Sequence, residues 1–306
     1  MDVRLFEVSP RDGLQNEAAV VPTREKVRLI QALVASGLRD VEVTSFVRAD
    51  RIPQLADAAD VLAALPESSD VRFWALVPNT RGFERAHAAG IRCVSTVLSA
   101  SETHNQRNIN STVRESLSAL GRILSDAKAE GLRTRAYIST AFGCPYEGAV
   151  DPSRVVDLAL ALTAAGADEI ALGDTVGVAT PPGVVDLVRR LEAAGIPPES
   201  VAMHLHDTLG MALVNALAAW QVGIRSFDGA VAGVGGCPYA PGAAGNACTQ
   251  DLVHLFEGLG AETGVDLDRL GEAGLLLGAS LGRTLPGRYH QWWAGRRPTN
   301  GARSVG

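Results

Sequence analysis

The segment Val201-Ala202-Met203-His204-Leu205-His206-Asp207 has the pattern of a short buried strand that runs into a polar turn. Residues two apart in a strand point to the same side, so the imidazoles of His204 and His206 would face one space. Two neutral imidazoles that face one point are a common beginning of a divalent metal site. The structural alternative is one histidine in the core and a second that caps the turn. Elsewhere the chain supplies oxygen ligands and an arginine at matching strand ends, which favours the metal site.

Strand-like and helix-like segments alternate from residue 3 to residue 259. The predicted strands are Val3–Val8, Asp40–Thr44, Val71–Val77, Ile91–Leu98, Thr134–Thr140, Glu169–Leu172, Val201–Leu205 and Ser226–Val231. The predicted helices that follow them are Thr23–Ala35, Pro53–Leu65, Thr80–Ala89, Thr112–Glu130, Pro152–Ala165, Pro181–Ala194, Met211–Val222 and Thr249–Leu259. Eight such units predict an α/β fold, the (β/α)₈ TIM barrel, with an extra C-terminal helical segment. An open doubly wound sheet is the alternative fold.

The chain is predicted to divide into a catalytic barrel, residues 1–260, and a C-terminal helical extension and tail, residues 261–306. Val265–Leu281 has a helical pattern. Thr284–Gly306 is rich in Gly, Arg and Pro, and we interpret it as a docking tail, a subunit contact or a partly disordered segment. The stretch between the fourth strand and the helix at Thr112 is predicted to be a long polar loop.

Composition restricts the classes of function. The 306 residues are 46% hydrophobic, which suffices for a sizeable core, and the net charge of −6 without a basic stripe argues against a nucleic-acid partner. The sequence has no apolar run of membrane-spanning length and no signal-peptide pattern at its start, so we expect no membrane association. The four cysteines are widely spaced and form no Cys-x-x-Cys pair, which favours a reducing cytoplasm.

Polar residues fall where the predicted strands end, which is the face of a barrel that carries catalytic groups. They are Arg11 and Asp12 after the first strand, Glu42 in the second, Asp174 after the sixth, His204 and His206 in the seventh, and Cys237 and Asn246 after the eighth. Asp12, His204, His206 and Asn246 form a mixed nitrogen and oxygen ligand set. Such a set suits Mg²⁺ or Mn²⁺, with Zn²⁺ or Co²⁺ as further options, and the absence of a thiolate argues against structural zinc.

Each of these residues also has a structural interpretation. Asp12 and Asp174 would cap turns, Asn246 would cap the following helix, and Glu42 would be a buried partner of Arg11. Cys237, in a glycine-rich loop, would be an inert buried thiol. The same Gly-Cys-Pro-Tyr setting recurs at Cys144, so that motif alone does not indicate catalysis.

Five segments resemble motifs of the 3-hydroxy-3-methylglutaryl-CoA lyases, and the resemblance extends from about residue 3 to about residue 280. They are Phe6–Glu17 (FEVSPRDGLQNE), Glu42–Val47 (EVTSFV), Gly143–Gly148 (GCPYEG), Gly173–Gly177 (GDTVG) and Ala230–Ala240 (AVAGVGGCPYA). Residues 99–108 differ from the animal form, which leaves the exact acyl group open.

The resemblance implies roles for individual residues. Asp12, His204, His206 and Asn246 match the family's metal ligands, Arg11 its catalytic arginine, Glu42 an active-site carboxylate and Cys237 its loop cysteine. The catalytic set it implies is Arg11, Asp12, Glu42, His204 and Cys237. The substrate-binding set is Gln15, Asp174, Thr175, Gly235 and Gly236.

The resemblance also implies a reaction. A divalent metal, Mg²⁺ or Mn²⁺, would support cleavage of a 3-hydroxyacyl-CoA to acetyl-CoA and acetoacetate, in a homo-oligomer of two or more subunits. Three alternatives stay open: a condensing synthase of the same superfamily, a citramalyl-CoA-type lyase, and a non-catalytic barrel that binds an acyl-CoA.

Overall fold

The computed structural model describes residues 2–66, 68–236 and 245–296. Within these residues, eight parallel strands close into a barrel in the order of the sequence. The strands are β1 (Arg4–Glu7), β2 (Asp40–Ser45), β3 (Arg72–Leu76), β4 (Cys93–Ser99), β5 (Arg133–Ser139), β6 (Glu169–Asp174), β7 (Val201–Leu205) and β8 (Ser226–Gly229). The predicted (β/α)₈ TIM barrel is therefore confirmed.

Eleven α-helices are present in the described ranges. They are α1 (Thr23–Ala35), α2 (Ala58–Ala63), α3 (Thr80–Ala88), α4 (Glu102–Ile109), α5 (Val113–Ala129), α6 (Pro152–Ala164), α7 (Pro181–Ala193), α8 (Ala212–Gln221), α9 (Thr249–Gly258), α10 (Leu267–Leu281) and α11 (Arg288–Gly295). Across those ranges, none of the helices is both long enough and apolar enough to span a bilayer.

Helix α5 shows why the helices pack on the outside of the barrel. Leu120, Ile123, Leu124 and Ala127 recur at intervals of three and four residues and are all buried, which is the pattern of a single apolar face. The helix begins with a capping box, in which the Thr112 side chain and Glu115 satisfy each other's backbone N–H groups. Burial of each of the larger side chains contributes about 1.5–3 kcal/mol.

The segment predicted as a long polar loop contains a helix. Helix α4 occupies residues 102–109, and its N-cap is Ser101, whose hydroxyl accepts the backbone N–H of His104 at 3.0 Å. The helix ends at Asn110, which takes the left-handed conformation with φ 55°. The expectation of a loop was wrong. The sequence of α4 lacks the apolar stripe that predicts a helix, and the helix is stabilised instead by its caps and contacts.

The C-terminal extension packs against the barrel. Helix α10 contacts α1, and α11 contacts α9 and α10. The carboxylate of Asp251 on α9 accepts the backbone N–H of Tyr289 at 2.7 Å at the start of α11. The predicted helix at 265–281 is thus confirmed as α10, and part of the predicted tail is helical. The domain boundary at residue 260 stays a prediction.

A buried carboxylate joins the two ends of the barrel sequence. Glu7, at the end of β1, is 0% exposed. One of its oxygens accepts the backbone N–H groups of Ser9 at 3.0 Å and Val231 at 2.9 Å, and the other accepts the Thr249 hydroxyl at 2.7 Å. Burial raises the pKa of Glu7 above 4.5, although these hydrogen bonds oppose the shift. Glu7 thereby holds the loops that follow β1 and β8 together.

We expect Glu7→Ala and Glu7→Gln to differ sharply in stability. The alanine variant leaves three buried donors without an acceptor, at about 1–3 kcal/mol each, so its free energy of unfolding should fall by at least about 3 kcal/mol. The glutamine variant can keep the three contacts if the Thr249 hydroxyl turns to accept. Urea unfolding measures both.

The same pair tests the pKa of Glu7. A carboxyl whose pKa is raised in the folded state binds more protons folded than unfolded, so its contribution to stability falls as the pH rises. Glutamine lacks this dependence. From about pH 4 to about pH 7, the stability of Glu7→Gln relative to the wild type should therefore increase. Parallel pH profiles of the two proteins would contradict a raised pKa.

Candidate metal centre and active site

Asp12, His204 and His206 form one cluster at the carboxyl ends of the strands. Asp12 lies in a π-helical turn, Ser9–Gly13, directly after β1. His204 lies in β7 and His206 just beyond it, on the same side of the chain because side chains alternate along a strand. One candidate ligand atom from each of the three residues lies within 4.8 Å of the others. The Nε2 atoms of the two histidines are 3.3 Å apart.

Asn246 completes the predicted ligand set. It pairs with His206 through an isolated backbone bridge, and its side-chain Nδ2 donates to Asp12 Oδ2 at 2.8 Å. Its buried Oδ1 has no hydrogen-bond partner among the described residues. A buried carbonyl oxygen without a donor is costly, and a cation would satisfy it. The residues present thus fit a divalent ion.

The electrostatics of the cluster suit a cation. Burial raises the pKa of Asp12, but the charge of Arg11, the neighbouring histidines and the hydrogen bond from Asn246 outweigh this and hold it at about 2, so Asp12 is ionised at neutral pH. Burial, with the nearby charge of His204, lowers the pKa of His206 to about 4, so its imidazole is neutral. Burial also acts to lower the pKa of His204, but its contacts with Asp228 raise it overall.

Arg11 lies next to the cluster with a fixed orientation. Its Nε donates to Glu42 Oε2 at 2.5 Å, and its Nη1 donates to Asp12 Oδ1 at 2.6 Å. Its guanidinium carbon lies 5.7 Å from the centre of the Tyr137 ring. Burial opposes its charge, but Glu42 and Asp12 raise the pKa of Arg11 above its ordinary value. The predicted pairing of Glu42 with Arg11 is present, and it holds a permanent cation at the cavity wall.

A cavity of about 260 Å³ opens above these groups. Gln15, Thr175 and Gly236, which were predicted to bind substrate, line it. Gln15 donates to Asp12 Oδ1 at 2.7 Å, and the Thr175 hydroxyl accepts the Thr140 N–H at 3.0 Å. The cavity also has an apolar wall, so it can hold a small polar acyl group beside hydrocarbon.

The other two predicted substrate-binding residues lie differently. Asp174 is buried, and its two carboxylate oxygens accept the N–H groups of Val178 and Ala179, so the structure gives it the turn-capping contacts of the structural interpretation. Gly235 lies behind Asn246, where its φ is +109° and a Cβ would come 2.7 Å from Asn246 Nδ2. Only glycine fits this position. Substrate binding by these two residues stays a prediction.

The predicted role of Cys237 stays untested, because this residue lies outside the described residues.

Sequence reasoning missed two residues of the site. Tyr137 lines the cavity from β5, and Asp228 contacts His204 from β8. The signal for Tyr137 was its two-residue spacing from Arg135 in a buried strand, which places both residues on the same face.

The fold and the site define a (β/α)₈-barrel enzyme with a candidate metal centre at the carboxyl ends of its strands. A family model described as HMGL-like matches residues 2–276. The chain belongs to the HMGL-like family.

Relatives of this chain cover nearly its whole length. The cytoplasmic 3-hydroxy-3-methylglutaryl-CoA lyase of Danio rerio is 45% identical over 289 residues, which are 94% of this chain and 86% of the relative. The crystal structure of the Bacillus subtilis HMG-CoA lyase has a TM-score of 0.93 at 44% identity and covers 96% of this chain and 98% of its own. An Acinetobacter baumannii HMG-CoA lyase, in complex with coenzyme A and 3-methylmalate, has a TM-score of 0.90 at 38% identity, with coverages of 99% and 97%.

Metal binding by the cluster can be tested on His206. Its neutral ring has no partner at Nδ1 in the described part of the chain, so His206→Gln should fold normally and lose chiefly a ligand. We expect its affinity for Mn²⁺ to fall by more than about 100-fold, since changes to outer partners of ligands alone cost about 10–100-fold. Isothermal titration calorimetry measures this dissociation constant.

His290→Gln is the matched control. His290 is as buried as His206, also lacks a partner at Nδ1 in the described ranges, and lies on α11 away from the cluster. Its Mn²⁺ affinity should equal that of the wild type. Equal affinities of all three proteins would show that the ion binds elsewhere.

Proposed function

We propose that this chain is a divalent-metal-dependent carbon–carbon lyase that cleaves 3-hydroxy-3-methylglutaryl-CoA, or a close 3-hydroxyacyl-CoA, to acetyl-CoA and acetoacetate. The observation that carries the proposal is a fixed, permanently charged Arg11 beside the Asp12, His204 and His206 cluster at the wall of a small cavity. The similarity of the whole chain to proteins named as HMG-CoA lyases supports it.

Asp12, His204, His206 and Asn246 would hold the ion, and their mixed oxygen and nitrogen donors favour Mg²⁺ or Mn²⁺. Such an ion supplies Lewis-acid polarisation and orientation of the substrate's oxygens. The protein's part is to fix the donors in space, and each of them has a hydrogen bond to a neighbour.

Arg11 would stabilise the charge that develops when the C2–C3 bond breaks. The electron pair moves onto the thioester carbonyl, which becomes an enolate, and a guanidinium offsets that charge through charge-assisted hydrogen bonds. Glu42 and Asp12 hold the guanidinium in place, so little reorganisation is needed during the reaction. Arg11 lines the cavity, so its guanidinium is accessible to a bound thioester.

The proton of the substrate's hydroxyl needs an acceptor, and the sequence left Asp12 and His204 as candidates. His204 donates from Nδ1 to Asp228, and its Nε2 is a proposed ligand. Both oxygens of Asp12 accept hydrogen bonds, from Arg11 and Gln15 at Oδ1 and from Asn246 at Oδ2. Either residue would accept the proton directly or through water, and both stay candidates. Cys237 would then deliver a proton to the acetyl-CoA enolate.

The substrate class is an acyl-CoA. The solved structure of the A. baumannii HMG-CoA lyase is a complex with coenzyme A and 3-methylmalate, a hydroxylated dicarboxylic acid. That ligand pair favours a test of citramalyl-CoA-type thioesters beside the parent substrate. We further propose that the enzyme works in the cytoplasm as a homo-oligomer. Its relatives include cytoplasmic and mitochondrial forms, and the three described cysteines are free and buried.

The direct test is turnover of a panel of acyl-CoA thioesters with Mg²⁺ or Mn²⁺. We expect acetyl-CoA and acetoacetate from 3-hydroxy-3-methylglutaryl-CoA by mass spectrometry, loss of turnover on chelation, and recovery when the metal is restored. Release of free thiol from acetyl-CoA and a keto acid would instead identify a condensing synthase. Binding of thioesters without turnover would identify a non-catalytic barrel.

Arg11→Lys tests the role of the guanidinium. Lysine keeps the charge but cannot contact Glu42 and Asp12 with separate nitrogens in a planar fork. Turnover should fall by about 10²–10³-fold, as for loss of an oxyanion-stabilising donor, while Mn²⁺ affinity and the unfolding midpoint change little. Arg190→Lys, an exposed arginine on α7 paired with Asp186, is the control and should retain full turnover. Near-normal turnover of Arg11→Lys would remove Arg11 from the mechanism.

A further inference from the structure

One of the two clustered histidines has a buried carboxylate behind it. Asp228 lies on β8, directly opposite His204 of β7 in the parallel register. Its Oδ2 lies 3.0 Å from His204 Nδ1. Asp228 is 3% exposed and faces the interior of the barrel. The contact therefore holds the imidazole from the side opposite to the cluster.

The second oxygen of Asp228 is held by a buried arginine. Arg135 of β5 is 0% exposed, and its Nη2 donates to Asp228 Oδ1 at 2.5 Å. Its guanidinium lies 3.8 Å from the centre of the Phe6 ring, and its Nη1 donates to the Tyr137 hydroxyl at 3.2 Å. With Glu169 Oε2 also 2.9 Å from its Nε, the guanidinium is enclosed and cannot turn away.

This arrangement determines which imidazole nitrogen carries the proton. A guanidinium only donates hydrogen bonds, so Asp228 must accept from Arg135, and its ionised carboxylate must also accept from His204. Nδ1 of a neutral His204 therefore holds the proton, and the lone pair of Nε2 points toward Asp12 and His206. His206 has no such constraint, since its Nδ1 is without a partner in the described ranges.

We propose that Asp228, held by Arg135, is the positioning residue that fixes the tautomer and the ring orientation of His204 for metal binding. A carboxylate behind a ligating histidine is a recurrent way to orient the ring and increase the basicity of the ligand. The inference rests on the metal site proposed above. It assigns the two histidines different supports: His204 is fixed by the barrel interior, and His206 by its backbone bridge to Asn246.

Asp228→Asn tests the inference. The charged guanidinium of Arg135 will take the amide oxygen, so the amide N–H₂ will face His204 Nδ1. That nitrogen must then accept, and the proton moves to Nε2, where it blocks metal binding. We expect Mn²⁺ affinity to fall by at least about 10–100-fold in calorimetry. An unchanged dissociation constant in a folded Asp228→Asn protein would overturn the proposal.

Asp40→Asn is the matched control. Asp40 is a buried strand aspartate that accepts hydrogen bonds from Arg72 and from Trp74 Nε1, and the same substitution removes the same charge. It lies at the start of β2, whereas the proposed ligands lie at or beyond the opposite ends of the strands. Its Mn²⁺ affinity should match the wild type. A loss equal to that of Asp228→Asn would assign the effect to general destabilisation and overturn the proposal.

A second measurement needs neither a variant nor turnover. Nitrogen-15 NMR of the metal-free wild type, at a pH high enough to leave the rings neutral, distinguishes protonated from unprotonated imidazole nitrogens. We expect His204 to be protonated at Nδ1, with its signals assigned by their absence in His204→Gln. Protonation at Nε2 would overturn the inference, whether or not the protein cleaves an acyl-CoA.

Discussion

The pairing of β1 with β8 is the constraint on which the rest of the structure depends. Arg4 lies opposite Ser226 and Glu7 opposite Gly229, so the first and last strands run side by side. Asp12 follows β1 and Asn246 follows β8, yet their side chains are 2.8 Å apart. Joining segments so distant in the chain carries an entropic cost that grows only slowly with loop length. The contacts of Glu7 with the loops after β1 and β8 lie where these two strands pair.

The barrel interior contains a buried arginine with charged partners, whereas many barrels are filled with branched apolar side chains. Arg135 lies among Asp228, Glu169 and the rings of Phe6 and Tyr137. A buried charge is costly unless it is paired and hydrogen-bonded, so the groups around Arg135 are mutually dependent. The interior thereby acts as a rigid support that extends from the middle of the barrel to the proposed ligands. A metal site built only on loops at the carboxyl ends of the strands would lack such a support.

The alternation of strands and helices was predictable from the sequence, and so was the convergence of polar residues at the strand ends. The two-residue period of β7 placed His204 and His206 together, as the structure shows. Helix α4 was missed because its polar sequence has no apolar stripe, so its local signals were the cap residues Ser101 and Asn110. Arg135 was missed because an arginine in a strand usually faces solvent. Its inward direction depends on which face the barrel buries, and this is set by all eight strands together.

The two clustered histidines differ in what fixes them. His204 lies within β7, opposite Asp228 of β8, and the carboxylate of Asp228 lies 3.0 Å from its Nδ1. His206 lies beyond the last residue of β7, and its support is the backbone bridge to Asn246. Burial and the nearby charge of His204 lower the pKa of His206 to about 4, so its ring is neutral. One ring is therefore oriented by a charged group of the barrel interior and the other by the backbone of the loop after β8. Because these supports come from different elements, the two ligand nitrogens can be perturbed separately, although they are only 3.3 Å apart.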